Sequence, residues 1–220
     1  MFKPAHNWIR PTLPEILLAL FFLAMTGCQA ISVMADMAAH THQPPKYTGL
    51  GGQSVAVMVW ADRAIKIEWP GINSDLANAI QNKLYGNPAK ELKDAKWPWP
   101  ADSVVGYQID HPGIEALPIT DVAPKIGVSR LIYVEIQQFT TRGEASAQMY
   151  RGNIVASLKI IEIEGKQGKV GYEETGITTH FPKKSDPAGV LDSNDGVIYR
   201  GTVAALAQVI TDRLAGYEPE

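Results

Sequence analysis

The chain has 220 residues, with 20 Lys and Arg against 23 Asp and Glu, for a formal net charge of −3. That length can hold one domain with a sizeable core, and the mildly acidic balance argues against the basic patch that a nucleic-acid partner calls for. A single cysteine, Cys28, excludes an intrachain disulfide, so the folded part must stand on its own core.

Met1 to Pro14 carry Lys3 and Arg10, a positive segment ahead of the ten apolar residues Ile16 to Met25. This is the layout of a secretory signal. Ten residues are too few for a membrane span, which needs about 20. The residues Met25-Thr26-Gly27-Cys28 then resemble the lipobox of bacterial lipoproteins, departing from it at Met25, where Leu is usual. The resemblance implies cleavage before Cys28, a diacylglyceryl thioether on its sulfur and an acylated amino terminus, so that membrane lipid is the first partner. Gln29 after the cysteine fits transport to the outer membrane, facing the periplasm. An ordinary cleaved signal and a retained signal-anchor are the alternatives. Loss of residues 1–27 takes Lys3, Arg10 and Glu15, leaving 18 of the 20 basic and 22 of the 23 acidic residues, net −4.

Residues 28–53 follow as a lipidated amino terminus and flexible tether, punctuated by Pro44-Pro45 and Gly49, Gly51 and Gly52. Asp36, His40 and His42 have a spacing that could share a metal, but nothing nearby supplies a supporting shell. A solvated linker is expected, with no metal and no cofactor.

Residues 54–220 are expected to form one domain. Ser54–Ala61 is apolar on both faces and suits a covered strand. A helix opens near Asn73-Ser74-Asp75, with Ser74 as N-cap and Leu76, Ala77, Ile80 and Leu84 on one stripe, and Gly86 as its left-handed stop. Pro88–Pro100 is mixed. Ser103–Ile109 reads as a short strand, and Thr120–Ile126 as a short helix with Pro124 in its first turn, closed by Gly127. Leu131–Thr140 is a strand with Ile132, Val134 and Ile136 on one face. Tyr150–Ile163 and Lys169–Phe181 form a long hairpin, its polar second arm at the edge. Val197–Ala215 is an amphipathic helix ended by Gly216. The order β-α-β-α-β-β-β-α predicts an α+β or α/β fold with a single mixed sheet.

This order resembles the small domain shared by TolB amino-terminal domains, curli-assembly lipoproteins and penicillin-binding-protein activator lipoproteins. The carrying residues are the strand SVAVMVWADR, Ile80 to Gly86, Val122 to Val128 before Leu131–Ile136, the hairpin and the closing helix. The resemblance covers residues 54–215 and implies a non-enzymatic envelope role in assembly or activation through a protein partner. It carries over no binding residue.

Signatures of nucleophilic, zinc-hydrolase or nucleotide chemistry are missing from the sequence. Trp97-Pro98-Trp99-Pro100 holds two candidate partner-binding indoles, Trp97 and Trp99, on a backbone stiffened by proline. The alternative is that the loop folds back and the indoles lid the core. Asp110, His111, Glu115 and Asp121 form a candidate acid/base group for a rival reading, a periplasmic enzyme or glycan-binding protein using the loops around Trp97–Trp99 and Asp110–Asp121. A D-H-P-G turn is the plainer account of the first two. His180 reads as an exposed strand-end residue.

Overall fold

The computed structural model describes residues 42–143, 146–184 and 188–218. Cys28, Asp36 and His40 lie outside them. Four strands form one mixed sheet in the order β1-β2-β3-β4. Strand β1 (Val55–Ala61) runs parallel to β2 (Arg130–Gly143), and β3 (Ser146–Glu164) and β4 (Gln167–Phe181) continue antiparallel. The helices are α1 (Arg63–Glu68), α2 (Ile72–Tyr85), α3 (Ala101–Asp110), α4 (Ile119–Ile126) and α5 (Asp195–Ala215), with 3₁₀ turns at Lys90–Leu92 and Pro112–Ala116. This is the expected α+β architecture.

Alternation along the strands feeds two cores. Val55, Val57 and Val59, with Ile132, Val134 and Ile136, face α2 and α5, meeting Leu76, Ile80, Leu206 and Ile210. Ala56, Met58 and Leu131 face the other way, onto Val104 of α3 and Val122, Ala123 and Ile126 of α4. A strand buried on both faces has no need of a polar stripe, which is why β1 is apolar throughout.

The segment expected as a strand, Ser103–Ile109, is the core of helix α3. Its β-branched residues suit either state, and tertiary structure decides. Ala101 and Val104 lie one turn apart and are both buried. The outer side of the chain at the start of β1 is meanwhile met by the preceding segment, through a bridge between Ser54 and Lys96. The observed order is therefore one strand, four helices, three strands and a last helix.

Local signals fared unevenly. Gly127 is left-handed (φ 76°) and closes α4 as expected, whereas Gly86 has φ −102° and ends α2 without that conformation. Helix α2 starts at Ile72 behind Gly71, so Ser74 lies inside it. The Ser74 hydroxyl donates to Asp102 Oδ1 (2.5 Å), and Asn78 Nδ2 donates to the same oxygen (2.7 Å), tying α2 to α3. Pro124 lies beyond the first turn of α4, which opens at Ile119. Helix α5 begins at Asp195, capped by the Asn194 side chain accepting from the Val197 amide.

The compact unit runs from Pro44 to Tyr217, ten residues earlier than the expected start at Ser54. Leu50 is fully buried and Tyr47 nearly so, because the strap bearing them is bonded to the sheet. The Lys46 amide donates to the Arg213 carbonyl (2.7 Å). Tyr47 Oη donates to Glu162 Oε1 (2.7 Å) and accepts from Arg130 Nε (3.0 Å). Burial, and then the bond to Glu162, pushes the Tyr47 hydroxyl up to about 12.

Candidate functional site

Strands β1 and β2 are parallel neighbours, and open sheets of this kind tend to bind ligands beyond the carboxyl ends of such strands. A cleft of about 140 Å³ lies at that end, on the face covered by α3, the second 3₁₀ turn and α4. The strands contribute Met58, Trp60, Tyr133 and Glu135 to its lining; Trp60 and Glu135 are direct partners across the β1–β2 pair. The cover contributes Gln108 from α3, Ile114, Glu115 and Leu117 from the 3₁₀ region, and Ile119 and Val122 from α4. Pocket volumes for drug-sized ligands run to about 300–1,000 Å³, so this cleft takes a single side chain or a small group.

Two polar contacts hold the cover in place. Gln108 Nε2 donates to the Val59 carbonyl (3.1 Å), satisfying a strand group next to the cleft. Lys66 Nζ donates to Glu115 Oε1 (2.8 Å) and lies 5.4 Å from the centroid of the Trp60 ring, so α1 and the 3₁₀ turn meet over the indole. Glu135 has neither ion pair nor hydrogen bond recorded among the described residues, and its side chain is only partly buried. Burial, then the negative charges of Glu135 and Glu115, pushes the Tyr133 hydroxyl well above the ordinary tyrosine value. The cleft is thus apolar along one wall and electronegative at Glu135.

A second polar centre lies at the far edge of the sheet and is structural. Glu174 of β4 accepts from Tyr172 Oη (2.6 Å), Lys46 Nζ (3.2 Å) and Arg213 Nε (3.1 Å), joining strap, edge strand and α5. Burial alone would raise this carboxyl, but the three donors outweigh it and hold the group below its ordinary value. On the helical face, Trp69 stacks on Tyr199 with centroids 5.0 Å apart and meets Phe139 edge-on at 5.5 Å.

Comparison with known proteins gives no family. No protein-family model matches, and no curated protein matches by sequence. Among solved structures, the chain is similar to PelC of Paraburkholderia phytofirmans, a dodecamer, at 12% identity and TM-score 0.42, over 80% of this chain and 94% of that one. It is similar to the lipoprotein GNA1162 of Neisseria meningitidis at 14% identity and TM-score 0.42, over 72% and 98%. The hypothetical protein CT253 of Chlamydia trachomatis gives 11% identity and TM-score 0.40, over 74% and 98%. Likenesses at this level carry no assignment.

The candidates singled out in the sequence fall in several places. Trp97 and Trp99 do not stand out as a pair: both are half-buried, Trp97 packed on the α2–α5 core and Trp99 on the α3–α4 core. Their segment crosses the outer edge of β1 from one face of the sheet to the other. Pro98 and Pro100 have no amide to offer a further strand there. Glu115 lines the cleft, but Asp110, His111 and Asp121 do not. The His111 ring stacks on Tyr107 (4.2 Å), with Nδ1 2.9 Å from the Tyr107 carbonyl. Among the described residues, no three His, Cys, Asp or Glu side chains gather as a metal site. His42 is exposed, and His180 is half-buried on β4.

Trp60, Tyr133, Glu135 and Gln108 were missed in the sequence. A signal existed for two of them. In LIYVEI the core residues Ile132, Val134 and Ile136 alternate with Tyr133 and Glu135, which places a carboxylate on a face that the pattern of β1 already marks as covered.

Proposed function

We propose that this is a lipid-anchored, non-catalytic bacterial envelope protein whose domain works by binding another protein. The feature that carries the anchoring half is the order of residues 16–28, an apolar run, two small residues and then the sole cysteine. Among the described residues no helix is long and apolar enough to cross a membrane. One acyl chain binds a bilayer only marginally, and two or more anchor firmly, so full modification of Cys28 is part of the reading. An outer-membrane location facing the periplasm follows from Gln29.

The binding half rests on the cleft. Its apolar wall and Glu135 suit contact with a side chain, while the candidate acid/base residues do not come together: His111 turns back onto its own helix and Glu115 is held by Lys66. Mass spectrometry of the amino-terminal peptide from membrane-extracted protein tests the anchor. The peptide is expected to begin at Cys28 with a diacylglyceryl group on sulfur and an acyl group on nitrogen. An unmodified thiol, or a start elsewhere, contradicts the reading.

A further inference from the structure

Three features of the molecule stand outside the packing already described: the edge of β4, the groove between α2 and α5, and the cleft beside Trp60. The β4 edge is polar and nothing selects its occupant. The groove is open, and its Asp75 is already engaged by the Tyr199 hydroxyl at 2.6 Å. The cleft carries more.

We propose that the cleft receives one basic side chain, an arginine or lysine of the protein partner, with Glu135 as its counter-ion and Met58, Ile114 and Leu117 along its aliphatic stem. This rests on the protein-contact reading above and names the chemistry of the contact. Four observations argue for it. The volume, about 140 Å³, suits one long side chain better than a cofactor. Among the described residues the cleft is lined by two carboxylates, Glu115 and Glu135, and the cation beside them, Lys66, is committed to Glu115, so that Glu135 has no counter-ion there. The chain itself shows that the wall accepts a cation, since the Lys66 ammonium already sits over the Trp60 ring. The surroundings also suit a protein cover. Leu117 on the rim is 43% exposed, and Ile114 and Ile119 line the cleft on either side of it in sequence. Apolar residues of this kind around a charged contact exclude water from it and strengthen it.

Arginine fits particularly well, because its planar guanidinium can meet a carboxylate with two parallel hydrogen bonds and lie against an aromatic wall. A partly buried pair is screened less than one in free solvent, so the contact should outlast moderate salt.

The test uses the full-length protein in detergent micelles and a blocked pentapeptide, acetyl-Leu-Val-Arg-Val-Leu-amide, beside the same peptide with neutral citrulline in place of arginine. The probe is the Trp60 indole N–H resonance, assigned by its loss in Trp60→Phe. The arginine peptide is expected to shift that resonance saturably, and the citrulline peptide to bind at least about tenfold more weakly. Glu135→Gln should weaken the arginine peptide by a similar factor and remove its advantage over citrulline, with the melting temperature unchanged. Should Glu135→Gln fail to fold, Leu117→Lys at the exposed rim serves instead, an added cation lowering affinity for the arginine peptide. Equal binding of the two peptides overturns the inference, as does a Trp60 resonance that neither peptide moves; the protein-contact reading survives both results. A Trp60 shift with N-acetylglucosamine and none with the arginine peptide overturns the two together.

Discussion

At the scale of single residues, charge is handled in two contrasting ways on one sheet. Glu174 is surrounded by donors from three elements, Lys46, Tyr172 and Arg213, and Glu135 by none that the described residues supply. The first is a structural joint. Because its donors hold the folded-state pKa below the unfolded one, Glu174 stabilises the fold above the ordinary glutamate range and loses that contribution as pH falls through the lowered value. Glu174→Gln is therefore expected to lower stability at neutral pH by about 1–2 kcal/mol, since hydrogen bonds to charged groups are worth that order and the site is partly solvated. Chemical denaturation over a pH series descending from 7 checks this, and the two proteins should converge at the acid end. Glu135→Gln should cost little or nothing, because no hydrogen bond or ion pair among the described residues is lost.

At the scale of elements, the Trp97-Pro98-Trp99-Pro100 segment closes the open side of β1. Lys96 bridges to Ser54, and the Lys96 carbonyl accepts from the Val55 amide at 2.7 Å. Beyond it the chain passes to the other face, so one indole seals each core. Trp97→Ala should cost roughly 1–3 kcal/mol, below the 3–5 kcal/mol of a fully buried tryptophan because the ring is half-buried. It should also speed amide exchange in β1 before that in β3, and equal acceleration in both strands would show that the segment does not guard the edge. This crossing also explains what could be foreseen. The strands and the last helix are legible because their apolar periods match single elements: Ile132/Val134/Ile136 for β2, and Val203, Leu206, Ile210 and Leu214 for α5. Helix α3 is not, because the run SVVGYQI fits either period and only the tertiary packing that buries Ala101 and Val104 decides between them. The cleft was hidden for a related reason. Its members come from β1, β2, α3, the 3₁₀ region and α4, and no local spacing joins Trp60 to Glu135 or Gln108 to Leu117.

For the whole molecule, the boundary between tether and domain has the largest consequence. Proline and glycine density marks residues 44–53 as linker, yet Tyr47 and Leu50 complete the core and Lys46 bonds to α5. A polypeptide starting at Pro44 keeps the whole compact unit and is the reference. One starting at Ser54 loses a fully buried leucine, worth about 2–5 kcal/mol, together with the Tyr47–Glu162–Arg130 contacts. At roughly 2–4 °C per kcal/mol for a domain of this size, its melting temperature should fall by about 10 °C or more. Identical melting of the two would return the strap to the tether.

The proposed partner contact belongs to this same scale, since it would bring a second protein to the cleft beside Trp60. Site-specific photocrosslinking in intact cells tests that arrangement most directly. With a photoreactive side chain replacing Leu117 at the rim of the cleft, and in a second protein replacing Tyr85 on α2, which is 73% exposed, one discrete protein adduct is expected from position 117. That adduct should disappear with Glu135→Gln, and position 85 should give none. No adduct from position 117, or one that is indifferent to Glu135, would contradict the proposed contact.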